Sequence, residues 1–306
     1  MSVLWESERN GTRYSVRAHG ASVRLYSNGV FHSQWNPDRP FAGGVWDCLG
    51  LPALYRPLEA TRRVLLLGVG GGAAIRQLER LVPFESLTGV EIDPVHLDIA
   101  RRWFGVVDAS SAGGPMGERL ARTLATTEPT DGGESSAQGA PPPRSPVTLV
   151  EDDAVAWLRG RVGERYDLVV DDLFGHDAGE PVRARALTPD WVGLLRETVT
   201  EDGLVVVNCA DGRELKRAAP TFGDEGFGHA RRWSQTGYEN AIGVFAARPL
   251  VPREWSRRLE GTGLNASSQR CARAIVRRPL NGYRRPRSGG PDRVLGSRRS
   301  GSAEPP

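Results

Sequence analysis

A chain of 306 residues with 39% apolar and 25% charged side chains can bury a sizeable core, and no apolar run in it approaches the ~20 residues of a membrane span. The net charge of +3 hides a division, because 13 Arg against four acids lie from Val251 onward; a solvated, disordered basic end is the expectation there, and nucleic acid is not the expected partner. Three scattered cysteines (Cys48, Cys209, Cys271) exclude a disulfide framework or a zinc site, and the N-terminus lacks the basic-then-apolar pattern of a secretory leader, so a reducing cytoplasm is the expected compartment.

The chain opens with candidate strands at Thr12–Ala18, Ala21–Tyr26 and Val30–Gln34. Asn28-Gly29 between the last two is a strong hairpin signal, so a small antiparallel β unit is predicted over residues 1–60. It closes with a loop at Asn36–Pro40 and a lead-in helix from Val45 to Tyr55. Val64–Leu67 is a continuous apolar run, as expected of a strand covered on both faces. It breaks into Gly68-Val69-Gly70-Gly71-Gly72, followed by a helical pattern through Ile75, Leu78 and Leu81. A second strand, Leu87–Val90, delivers Glu91. Pro94 then starts a helix through Leu97, Ala100 and Trp103.

Residues 107–146 are rich in Ser, Gly, Pro, Ala and Thr and are expected to form a flexible insertion without chemistry. The pattern resumes with strand Thr148–Val150, the acids Glu151-Asp152-Asp153, Ala154 and a helix carrying Trp157 and Leu158. Tyr166–Asp172 is the next strand, ending in two carboxylates, and Leu173-Phe174-Gly175-His176-Asp177 continues as a loop. A helix from Pro189, a strand Gly203–Asn208, a helix from Arg213 and an antiparallel pair, His229–Ser234 with Ala241–Ala246, complete a domain over 61–250. A short helix after Pro252, an amphipathic piece near Arg270–Arg278 and a largely disordered tail occupy 251–306.

Strand, glycine turn, helix, strand, acid is an arrangement for holding an adenosine-bearing cofactor. Gly68, Gly70 and Gly72 allow strained dihedrals and close approach of a ligand to the backbone. The next helix N-terminus offers free N–H donors, and Glu91 stands where a carboxylate can accept both ribose hydroxyls. Asp153 reads equally well as a helix cap or as a partner for an adenine amino group. There is no GxSxG elbow and no HExxH, so serine-hydrolase and metalloenzyme readings find no support and no metal is expected.

The order of these elements resembles the class I S-adenosylmethionine-dependent methyltransferase fold: an α/β, Rossmann-like, seven-stranded doubly wound sheet with the last strand antiparallel. Roughly residues 10–250 resemble the spermidine synthase family within it, through Gly68–Gly72, Glu91-Ile92-Asp93, Asp153-Ala154 and the acidic end of Tyr166–Asp172. The resemblance implies S-adenosylmethionine or its decarboxylated form as cofactor. Glu91 would hold the ribose, Asp153 the adenine amino group, and the glycines would face the methionine part; Asp93 and Ala154 belong to the same motifs.

Departures fall at the amine-binding positions. The family's Asp-Ser-Ser-Asp loop is Asp172-Leu173-Phe174-Gly175 here, so the second acid is glycine. Its Asp-Gly-X-X-Gln is Asn28-Gly29-Val30-Phe31-His32, and a lining Tyr falls at Phe41, while Tyr238 matches a later Tyr. An aliphatic diamine with pKa about 10.4 needs carboxylates to bind it and take its proton. Methyl transfer asks less, so transfer of a methyl group to a small-molecule acceptor is the leading expectation and aminopropyl transfer, as in polyamine biosynthesis, the alternative. Asp172 and His176 are the candidate bases, with His176 reading equally as an ordinary loop histidine. His32, Asp171 and Tyr238 are candidate substrate contacts, and a homodimer stays open.

Overall fold

The computed structural model describes residues 1–109, 147–177, 180–280 and 283, with the backbone alone at 176, 177 and 180. Four strands, β1 (Ser2–Arg9), β2 (Thr12–His19), β3 (Ser22–Ser27) and β4 (Val30–Trp35), form an antiparallel meander. Asn10-Gly11 and Asn28-Gly29 make two of its three two-residue turns, with positive φ at both positions of each (50° and 75°, 49° and 83°), the geometry that matches strand twist. β1 was not among the expected strands. Most of its side chains are exposed, so it carries little of the alternation that marks a half-buried strand.

The lead-in helix is shorter than expected. α1 covers only Asp47–Gly50 before the chain tightens into a 3₁₀ segment at Leu51–Tyr55. Pro52 explains the break, since it has no N–H to continue the α-helical ladder.

The main sheet contains β5 (Arg63–Leu67), β6 (Ser86–Glu91), β7 (Val147–Glu151), β8 (Tyr166–Asp171), β11 (Val199–Cys209), β12 (His229–Ser234), β13 (Ala241–Ala246) and β14 (Val276–Pro279). Its order is β14-β12-β13-β11-β8-β5-β6-β7. Seven of these strands are the expected ones, with β13 antiparallel to both neighbours. Alternate residues of the central strands separate two cores. Leu65, Leu67, Val169, Val205 and Val207 face Trp157, Trp191 and Phe222, while Val64, Leu66, Leu168, Val170 and Val206 face Leu78, Ile99 and Trp255. Continuous apolar runs are therefore required here, because both faces are covered.

The eighth strand comes from the segment after Val251, where the sequence predicts a short helix, an amphipathic piece near Arg270–Arg278 and a largely disordered tail. α7 (Pro252–Glu260) and α8 (Ala266–Ala274) precede β14, which pairs with β12. Trp255 is buried, its indole N–H donating to Leu51 O at 2.9 Å, and the Arg277 guanidinium lies 3.7 Å from its ring centroid. Arginine in this stretch thus covers aromatic surface instead of floating in solvent. The remaining tail beyond Leu280, except Tyr283, lies outside the described residues, as does the expected insertion from 110 to 146.

Register places the site. Leu67 pairs with Val90 on one side and Asp171 on the other, and Asp171 pairs with Val207. One residue further along each parallel strand stand Gly68, Glu91, Asp172 and Asn208, side by side at the carboxyl edge, where open α/β sheets bind ligands.

Candidate functional site

A cavity of about 270 Å³ opens at that edge, lined among others by Gly68, Gly70, Glu91, Asp153, Ala154 and Asp172. The first two glycines are needed for distinct reasons. Gly68 has φ +86°, and a Cβ there would overlap the Asp172 carbonyl oxygen. Gly70 has φ +52° and keeps the backbone bare against the cavity.

Glu91 holds the turn in shape. Its Oε2 accepts from Val69 N (2.9 Å) and Gly70 N (3.0 Å), and Oε1 from Asp93 N (3.0 Å). A carboxylate has about four acceptor sites. Oε1 therefore retains room for one further donor, where two ribose hydroxyls were expected. Burial alone would lift the Glu91 carboxyl; the neighbouring His96 imidazole and the Gly70 and Asp93 amides outweigh it and hold it down at about 2.

His96 was not singled out in the sequence and is central here. Its Nδ1 lies 3.7 Å from Glu91 Oε2, and its Nε2 shares a 3.0 Å hydrogen bond with Ser27 Oγ of β3. Burial works against a charge on the ring, but Glu91 and Asp93 raise its pKa above the usual histidine value. Tyr14 packs edge-on against the same ring, at 5.8 Å between centroids. Ser33 Oγ of β4 accepts from Gly71 N at 3.0 Å. Val30, Phe31 and His32 line the cavity as well. The β unit is thereby a wall of the site as well as a buttress for its anionic corner.

At the other end, Asp172 accepts from Asn208 Nδ2 at 2.7 Å, and Asn208 Oδ1 accepts from Asn240 Nδ2 at 3.0 Å. Burial pushes the Asp172 carboxyl up to about 7, reinforced by Asp171 and Glu91 and opposed by Asn208 and Arg183. Tyr238, Trp46, Leu173, Phe174 and Arg185 complete this end.

Three candidate residues are not where the sequence reading put them. Gly72 is the left-handed residue at the start of α2 (Ala73–Leu81), where a Cβ would meet Val106 at 2.7 Å, and it does not line the cavity. Asp93 caps α3 (Pro94–Arg102) through Val95 N at 2.9 Å and accepts from Tyr14 O–H at 2.7 Å, outside the lining. Asp171 is fully buried, ion-paired with Arg183 and hydrogen-bonded by Trp191 Nε1 at 2.8 Å, outside the lining. Asp153 keeps both its readings. It caps α4 (Ala154–Arg159) through Val155 N and Ala156 N, and it also lines the cavity. His32 and Tyr238 line the cavity as expected. The His176 side chain lies outside the described residues; its backbone belongs to a hairpin of β9 (Phe174–Asp177) and β10 (Glu180–Arg183), in what reads from the sequence as a loop.

Two solved structures decide the architecture. A probable spermidine synthase from Corynebacterium glutamicum superposes with a TM-score of 0.63, covering 97% of this chain and all of that one at 16% identity. The spermidine synthase from Thermotoga maritima gives 0.57, covering 86% of this chain and 79% of that one at 15% identity. The chain has the spermidine synthase-like fold. Polyamine aminopropyltransferases of Mycobacterium tuberculosis and Mycobacterium bovis are 28% identical to it over 239 residues, 71% of this chain. That stretch is 38% of their own length, so the spermidine synthase-like chain spans well under half of the curated relatives it matches. No family model matches it. Among the described residues, no helix is long and apolar enough to cross a membrane and no cluster of side chains fits a metal ion.

Within this fold the sequence reading missed His96, Ser27, Ser33, Asn208 and Arg185. Asn208 had a legible signal, since it ends an apolar strand at the carboxyl edge. The two serines had none, because nothing local tells which meander residue will face the glycine turn.

Proposed function

We propose that this protein is an aminopropyltransferase that takes decarboxylated S-adenosylmethionine along the glycine turn and transfers its three-carbon amine to a primary amine held before Asp172. The residues fit such a donor. Gly68 and Gly70 line the cavity with bare backbone, Oε1 of Glu91 has a free acceptor site for a ribose hydroxyl, and Asp153 borders the cavity where an adenine amino group would lie. The name of the mycobacterial relatives supports the transferred group.

One observation carries the reaction: Asp172, in the same cavity as Glu91, has its carboxyl at about 7. An alkylammonium with a pKa near 10.4 must lose a proton before it can attack. A base poised near the working pH is suited to receive it. The neutral nitrogen attacks the carbon next to the sulfonium, the C–S bond breaks with its electron pair on sulfur, and 5′-methylthioadenosine leaves. Asn208 holds Oδ1 of Asp172 in place while the other oxygen takes the proton.

The test is release of 5′-methylthioadenosine from decarboxylated S-adenosylmethionine across a panel of primary amines, with equimolar aminopropylated product. Tight donor binding with no turnover on any amine would count against the reading. A second reading, methyl transfer, is favoured by Gly175 standing where the family pattern has its second acid. It predicts S-adenosylhomocysteine from the carboxylated donor in the same assay.

A further inference from the structure

Arg185 is the residue of the cavity wall that neither reading uses. The chain returns to the cavity after β10, where Ala184 N donates to Leu173 O at 2.9 Å, and Arg185 follows as a lining residue. Its near neighbour Arg183 is engaged by Asp171 and by the Asn208 carbonyl. Arg185 has no comparable partner: its Nε is buried without a hydrogen bond, and among the described residues it forms no ion pair. Its guanidinium stands 5.7 Å from the Trp191 ring, which limits how far it can swing. A buried donor left unsatisfied beside a cavity needs an explanation, and a guanidinium fork matches a carboxylate through two parallel bonds.

The charge pattern of this end points the same way. Glu91, Asp152 and Asp153 line the cavity at the ends of β6 and β7, whereas beside Asp172, after β8, the lining offers apolar Leu173 and Phe174 and the uncharged polar groups of Asn208, Asn240 and Tyr238. A plain diamine, doubly positive, would meet one carboxylate and one guanidinium, so one of its ammonium groups would face a like charge. A molecule carrying both an amine and a carboxylate would meet two opposite ones. We propose that this cavity recognises a primary amine and a carboxylate on one small molecule, the amine facing Asp172 and the carboxylate forked by Arg185. The inference rests on transfer from an adenosyl sulfonium, the part that both readings above share. Two ligands share this chemistry, the methionyl end of the carboxylated donor and an amino-acid acceptor.

Two matched pairs of ligands separate the sources. Titration calorimetry compares S-adenosylmethionine with its decarboxylated form, and, with 5′-methylthioadenosine saturating the nucleoside end, L-ornithine with putrescine, which differ by one carboxylate. The native protein is expected to favour the carboxylated member of one pair at least tenfold. Arg185→Gln should reduce that preference to within about twofold, with affinity for the other member unchanged or improved, and Arg185→Lys should recover only part of it. A donor-pair preference identifies the carboxylated donor and an acceptor-pair preference an amino-acid acceptor. If nucleosides bind but neither pair shows a preference in the native protein, the inference is overturned while the transferase reading stands; a preference that persists in a folded Arg185→Gln overturns it too. If Arg185→Gln does not fold, the native ratios and Arg185→Lys decide. If no adenosyl compound binds, both fall together.

Discussion

Asp172 follows the end of β8 and Glu91 ends β6, one on each side of β5, yet the two carboxyls are pushed in opposite directions, and each displacement makes a prediction. Asp172 has its pKa raised, so its basic form accumulates as pH rises through about 7. kcat/KM should climb through that range and level off. Asp172→Asn should abolish the rise and lower kcat by about 100-fold or more, the usual worth of a positioned base, with donor affinity little changed. Glu91 has its pKa lowered to about 2, so the stability it contributes is present above its ordinary value of 4.5 and disappears as pH falls towards 2. Glu91→Gln should remove that acid-side loss, on the order of 2–3 kcal/mol in denaturant titrations between pH 5 and pH 2. His96 runs the other way: its stabilising charge is present below about 6.5 and is lost as pH rises through its raised value.

The glycine turn and the docked end of the chain show what was legible at the scale of elements. Apolar runs such as Val64–Leu67 announce buried strands, and Glu91 and Asp172 announce themselves by ending them. Gly68 was legible as part of a ligand turn, but the Asp172 carbonyl that a Cβ there would meet follows a strand about a hundred residues away in sequence and became visible only through register. Gly68→Ala combines a left-handed φ with that overlap, and should cost about 3 kcal/mol or more and distort the cavity. Thermal unfolding with nucleoside binding measures both effects. The hairpin Phe174–Arg183 was not legible, because its short strands pair only with each other and lack an apolar face. After Val251 the helix from Pro252 was legible but its burial was not, because the surrounding arginines mask Trp255, Leu259 and Ile275, which are buried. Trp255→Ala should therefore destabilise by about 3–5 kcal/mol, as loss of a core aromatic does, where a solvated tail would show no effect.

For the whole molecule, the site belongs to two parts of the chain. The sheet supplies the glycine turn, Glu91 and Asp172, and the meander closes over them through Ser27 on His96, Ser33 on Gly71, and Phe31 and His32 in the wall. Sequence fixes each part by periodicity and turn chemistry, whereas their mating depends on side-chain contacts across 38 and 69 positions, which no local pattern encodes. The double variant Ser27→Ala, Ser33→Ala should leave the fold intact and weaken donor binding by up to about thirtyfold, since two hydrogen bonds of roughly 1 kcal/mol each are lost.

The central claim is that the glycine turn and Glu91 hold an adenosyl sulfonium. Calorimetric titration with 5′-methylthioadenosine, which carries the adenosine and thioether without the transferred group, tests it most directly on the native protein and on Glu91→Ala. Saturable one-to-one binding that weakens at least tenfold in the folded variant is predicted. No binding to the native protein, or equal binding to both, would contradict it.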